Sequence, residues 1–128
     1  MSDFNFNWKG KRVLITGHTG FKGTWLCLWM QLLSVQVHGY ARVPPTRPNL
    51  HELTGAAADM ESIIGDIRDL DLLQATFDRV QPEIVFHLAA QPIVQIAYED
   101  PVETFSTNMM GTVNVLECAR RTPSVRSV

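Results

Sequence analysis

Apolar runs alternate with turn-forming residues along this chain, and the lengths of the runs separate strands from helices. Arg12-Val13-Leu14-Ile15-Thr16 is a short β-branched run closed by glycine, which predicts a buried strand. A glycine-rich turn, Gly17 to Gly23, leads into an apolar helix from about Phe21 to Leu33. Val35 to Ala41 reads as the next strand. The connection after it, Val43-Pro44-Pro45-Thr46-Arg47-Pro48, is too rich in proline for regular helix or a central strand. A short helix including Leu50 to Leu53 ends at Gly55, and Met60 to Gly65 forms a third strand. From Asp69 to Val80 leucines and Phe77 recur at helical spacing, with Asp69 or Asp71 as the cap. Ile84 to Leu88 is a fourth strand. Pro101 to about Arg121 is a longer helix, presenting Val102, Phe105, Met109, Val113, Leu116 and Ala119 at steps of three and four.

Strands and helices in strict alternation, with strands apolar throughout, imply a parallel sheet covered on both faces. Right-handed crossovers then leave the Rossmann-type doubly wound α/β sheet as the simplest topology. Ser124 to Val128 resembles the start of a fifth strand, so residues 1–128 read as the N-terminal part of a nucleotide-binding domain, incomplete. The fourth strand would then border an open edge, which invites aggregation.

Composition narrows the function classes. A net charge of -2 with scattered basic residues argues against an electrostatic grip on nucleic acid or anionic lipid. Cys27 and Cys118 fall on apolar helix faces and read as buried free thiols, with no sign of a disulfide framework or metal site. The opening Met1 to Arg12 has an acid near its start and no long apolar core, unlike a signal peptide. The apolar stretch from Trp25 to Val37 is too short and too interrupted to span a bilayer. The chain is read as cytoplasmic. Trp25 and Trp29 share one helix face and are expected in the core.

The candidate chemistry is in Gly17-His18-Thr19-Gly20-Phe21-Lys22-Gly23, whose glycines are spaced by three and three. Between a strand and a helix, this is the setting of a dinucleotide-binding turn. Gly17 permits a sharp turn, Gly20 lets backbone approach a pyrophosphate, and Gly23 lets helix and strand pack closely. The helix start adds free amides and a positive dipole end. Lys22 either contacts a phosphate or caps the turn; His18 reaches either cofactor or solvent. The acid that usually selects NAD at the end of the second strand is missing from Tyr40-Ala41-Arg42-Val43. Arg42 either pairs with the 2'-phosphate of NADP or is simply solvated.

The glycine spacing resembles the extended branch of the short-chain dehydrogenases/reductases, although His18 and Lys22 are unusual there. Further segments narrow the resemblance: Trp25 to Trp29, Gly39-Tyr40-Ala41 with Pro44-Pro45-Thr46, Gly65-Asp66-Ile67-Arg68-Asp69, Phe86-His87-Leu88-Ala89-Ala90-Gln91-Pro92, Tyr98 to Phe105, Thr107-Asn108 and Gly111-Thr112. Together they resemble the CDP-glucose 4,6-dehydratase family along essentially the whole chain. That resemblance implies a nicotinamide cofactor, NAD with NADP possible, that oxidises carbon 4 of the sugar, allows water to leave across carbons 5 and 6, and reduces carbon 6. The product would be CDP-4-keto-6-deoxyglucose, a precursor of deoxysugars in bacterial surface polysaccharides such as O-antigen. It also implies that Asp66 meets the adenine amino group with Ile67 against the ring. Leu88, Ala89, Ala90 and Gln91 would border the nicotinamide half, although strand–helix packing explains the two alanines equally. His87 is expected to pack in its strand and Asn108 to bond backbone near the site. The full-length family commonly dimerises through the helix from Pro101.

The family's tyrosine–lysine pair at spacing four is absent, because neither Tyr40 nor Tyr98 has a lysine four residues on. No residue here is named catalytic. Two other readings stand beside the dehydratase: another sugar-nucleotide epimerase or dehydratase, and a non-catalytic dinucleotide-binding module.

Overall fold

In the computed structural model, which describes residues 7–128, four parallel strands form one sheet in the order β3-β2-β1-β4. They are β1 (Arg12–Thr16), β2 (Gln36–Ala41), β3 (Glu61–Ile64) and β4 (Ile84–His87). The expectation that the opening segment is no signal peptide rests partly on residues 1–6, which lie outside the described residues. Helices α1 (Phe21–Leu32), α2 (Leu50–Thr54) and α3 (Leu70–Val80) connect the strands, with a 3-10 turn at Ala56–Asp59. Beyond β4 come α4 (Val94–Glu99), α5 (Pro101–Phe105), a π turn (Ser106–Met110) and α6 (Gly111–Arg121). Strand and helix limits match those expected up to α3 within one or two residues.

Local chemistry accounts for the helix ends. Asn49 accepts from Glu52 N at 2.9 Å to start α2, and Gly55 ends it in the left-handed region. Asp69 rather than Asp71 caps α3, accepting from Leu72 N at 3.0 Å. Asp100 ends α4 and caps α5 through Glu103 N at 2.9 Å, with Pro101 in the first turn.

Alternation along β1 divides the core in two. Leu14 joins Tyr40, Ile67, Leu73, Phe77, Val85, Val115 and Cys118 beneath α3 and α6. Val13 and Ile15 join Cys27, Met30, Val35 and Val37 beneath α1. Both cysteines are buried free thiols, and burial pushes Cys27 up to about 12 and Cys118 up to about 11. The fifth-strand signal appears as one parallel bridge, Ile84 to Ser127, with Val85 N donating to Ser127 O at 3.0 Å.

Three expectations are corrected. Trp25 and Trp29 do share a face of α1, but it faces outward, and they are 54% and 60% exposed. The buried face is Gly23, Thr24, Cys27 and Met30, because the first turns of α1 approach the sheet too closely for an indole. The helix from Pro101 is not continuous: the π turn inserts before Gly111. The face it buries is Thr107, Gly111, Val115 and Cys118, while Val102, Phe105, Met109, Val113 and Leu116 are exposed. Helix α4 has no counterpart among the expected elements. Only Ala97 in it is even half-buried, so no apolar periodicity announces it.

Phe77→Ala should lower stability by about 3–5 kcal/mol through lost burial and a cavity, whereas Trp29→Gln should change it by less than about 1 kcal/mol. Chemical denaturation read by circular dichroism checks both; equal losses would place Trp29 back in the core.

Candidate dinucleotide site

The chain leaves β1 for β2 on one side and places β4 on the other, so the strand order reverses between β1 and β4 and opens a crevice at their C-terminal ends. Both loops at that crevice carry expected site residues. After β1, Gly17 turns with φ +76°, its N–H donating to Tyr40 O at 2.9 Å. A Cβ there would lie 2.7 Å from Ala89 N and from Leu88 C, so the loops after β1 and β4 touch backbone to backbone. At Gly23 a Cβ would stand 2.1 Å from Gly17 O, which explains the close approach of α1. At Gly20 it would meet only Gly17 O at 3.3 Å. Gly20 is therefore not required by packing.

Gly20 caps α1 with no side chain bonding the cap, and α1 has no acid in its first turn. The amides of Phe21, Lys22 and Gly23 precede the first intrahelical bond, Thr24 N to Gly20 O at 2.9 Å. Phe21 and Lys22 are exposed. Open amides, an exposed glycine and a nearby lysine fit a pyrophosphate. Thr19 is buried and donates to Arg42 O at 2.8 Å, fastening the turn to the end of β2.

His18 differs from both readings of its side chain. It is fully buried, with Nε2 2.6 Å from Ser62 Oγ and its ring 5.2 Å edge-on from His51. A Cβ on Gly39 would strike that ring at 2.3 Å, so the glycine in β2 makes room for it. Only the main chain of His18 remains for a ligand. Burial holds its pKa down at about 4, with His51 adding to the effect.

At the far end of the crevice, Asp66 accepts from Arg68 through N, Nε and Nη2 at 2.9, 3.0 and 2.7 Å. The Arg68 hydrogen bonds hold its carboxyl below the usual range. Arg68 also pairs with Glu103, and Glu103 meets Arg42 at 3.3 Å. The Ile67 side chain lies in the core against Gly111.

Sequence reasoning missed a polar chain beneath Leu88 to Gln91. Leu88 N and Ala89 N each donate to Thr16 Oγ1 at 3.2 Å. Thr16 Oγ1 lies 2.7 Å from His87 Nδ1, and His87 Nε2 lies 2.9 Å from Thr112 Oγ1. Thr112 donates to Asn108 O at 2.7 Å, so it must accept from His87. His87 is then the neutral Nε2–H tautomer, accepting from Thr16, and its pKa is lowered by burial. Asn108 bonds Gln91 at both N and O, at 2.8 and 3.0 Å, as expected of it. His87 packs, also as expected. Ala90 and Leu88 are exposed, Ala89 and Gln91 half-buried.

Gly20→Ala should fold with a melting temperature near wild type yet weaken NAD binding about tenfold or more, because its Cβ intrudes where backbone meets phosphate. Gly23→Ala should lose roughly 1–3 kcal/mol from overpacking. Thermal melts with calorimetric titration separate the two; a Gly20→Ala variant that binds normally would remove the pyrophosphate reading of this turn. His18 gives a pH dependence. Its folded pKa lies below its ordinary 6.5, so the folded state binds fewer protons, and stability is complete above that value and lost as pH falls toward about 4. The loss attributable to His18 should be on the order of 2 kcal/mol by pH 5. Denaturation midpoints should fall less steeply between pH 7 and 5 in His18→Gln; parallel slopes would overturn the assignment.

A profile of the GDP-mannose 4,6 dehydratase family matches residues 14–128. The chain is 52% identical over its whole length to the CDP-glucose 4,6-dehydratase of Salmonella typhimurium, of which it covers 35%. It is 33% identical over 116 residues to the GDP-mannose 4,6-dehydratase of Vibrio cholerae, covering 86% of this chain and 31% of that one. The UDP-glucose 4-epimerase of Thermus thermophilus in complex with NAD superposes with a TM-score of 0.79 at 28% identity, over 91% of this chain and 36% of that one. The chain thus spans about a third of the length of the relatives it matches. Sheet order, glycine turn and similarity along the whole of this chain agree: the chain belongs to the GDP-mannose 4,6-dehydratase family of sugar-nucleotide dehydratases and epimerases, whose fold binds NAD.

Proposed function

We propose that this chain is the cofactor-holding part of a CDP-glucose 4,6-dehydratase that forms CDP-4-keto-6-deoxyglucose in the cytoplasm. The remainder of the nucleotide-binding domain and the sugar-binding part belong to sequence beyond these residues. The observation that carries the reading is the 52% identity along the entire chain to an enzyme of that name. The open amides over Gly20 support it, since they suit a dinucleotide pyrophosphate.

In this reading the chain's residues bind and orient. The amides of Phe21 to Gly23 hold the pyrophosphate, with Lys22 as a countercharge. Asp66 offers its remaining acceptor capacity to the adenine. Leu88 to Gln91 border the nicotinamide, and their backbone is kept in shape from below by Thr16, His87, Thr112 and Asn108. NAD held there would supply reversible hydride acceptance. The proton-handling tyrosine–lysine pair lies outside this chain, which is inactive alone. The exposed apolar face of α5 and α6 is the homodimer contact of the full-length protein.

The test uses the protein encoded by the complete reading frame. With NAD and CDP-glucose it should form a 4-keto-6-deoxy product, detected by mass and by the absorbance of the ketone in alkali. GDP-mannose should remain unconsumed. Turnover of another sugar nucleotide would move the protein to a sister enzyme. NAD binding without turnover of any would make it a binding module.

A further inference from the structure

The end of β2 lacks the acid that would favour NAD and carries Arg42 instead, a residue suited to a 2'-phosphate. Resting on the reading of the glycine turn as a dinucleotide site, we propose that Glu103, from α5, supplies the missing selectivity by holding Arg42 and thereby rejecting NADP. Position comes first. The Thr19 hydroxyl donates to Arg42 O at 2.8 Å, so Arg42 begins directly beside the glycine turn, where the ribose next to a bound pyrophosphate falls. Its side chain, 65% exposed, reaches Glu103 Oε1 through Nη1 at 3.3 Å.

The other Glu103 oxygen takes Arg68, whose remaining bonds go to both oxygens of Asp66 and to Ser106 Oγ at 3.3 Å. Two guanidiniums and two carboxylates therefore meet at this corner, and their formal charges cancel. A 2'-phosphate, nearly a dianion, would have to detach Arg42 from Glu103 and then lie beside a bared carboxylate. A 2'-hydroxyl adds no charge and disturbs nothing. Glu103 is itself fixed, because its N–H donates to the Asp100 cap at 2.9 Å, and it cannot swing away with a free loop. The selectivity thus comes from 61 residues beyond Arg42 in sequence.

Substituting Glu103→Gln keeps the shape and removes one negative charge, leaving a net positive corner around Arg42. In calorimetric titrations of the full-length apoprotein, the ratio of NADP to NAD affinity should rise about tenfold. The gain should shrink as salt is raised, because the extra attraction between Arg42 and the 2'-phosphate is screened. Adding Arg42→Ala to Glu103→Gln should abolish the gain, which places it on Arg42 rather than on a general change of charge. A Glu103→Gln protein that binds NAD with an unchanged NADP to NAD ratio overturns this proposal alone. Folded wild-type protein that binds neither dinucleotide overturns the underlying dinucleotide reading and this proposal with it.

Discussion

At Gly17 three stretches of backbone meet with no side chain between them. On one side the loop after β4 comes close enough that a Cβ would lie 2.7 Å from Ala89 N; on the other, Gly17 O stands where a Cβ of Gly23 would need to be. The positive φ of Gly17 makes the turn, and the missing side chains let α1 settle against the end of β1. Much follows from that closeness. α1 can bury only small residues near its start, so Gly23, Thr24 and Cys27 face the sheet and the indoles face out. The amides at its N-terminus are brought to the crevice between β1 and β4, and the two loops that would border a dinucleotide are locked together.

The second constraint is polar. Thr16 is fully buried at the end of β1, and a buried hydroxyl without partners costs about 1–3 kcal/mol. Its partners are the two amides after β4 and His87, and each further group passes its proton onward to Thr112 and Asn108. The direction of every bond is set because the amides can only donate and the Asn108 carbonyl can only accept. Such a chain gives the Leu88 to Gln91 loop a single shape, which a loop of small residues would otherwise lack. The buried His18 serves the opposite flank, wedged against Gly39 and Ser62, and makes that flank sensitive to acid.

Much of the fold was legible because strands and helices declare themselves through short-range pattern. The β-branched runs, the cap at Asp69 and the glycine after α2 are local features, and they fell where the pattern put them. The glycine turn was legible for the same reason: spacing between a strand and a helix is contained in a dozen residues. What failed had no local signal or a misleading one. α4 lies exposed and has no buried stripe. The outward stripe of Val102, Phe105, Met109 and Val113 had the period of a core face, but the π turn and the packing of Val115 and Cys118 decided which face went inward.

The sequence by itself determined the alternation of strand and helix, hence the parallel sheet and the position of the glycine turn on it, since periodicity and turn chemistry act over a few residues. Tertiary structure alone decided which side chains at the turn face the crevice. It turned His18 inward beside Gly39, sent Ile67 into the core, and brought Glu103 to Arg42 and Thr112 to His87. Those pairs lie 21 to 61 residues apart, and their meeting depends on where whole helices come to rest on the sheet. That resting place is set by close packing over many residues at once, and no short stretch of sequence encodes it.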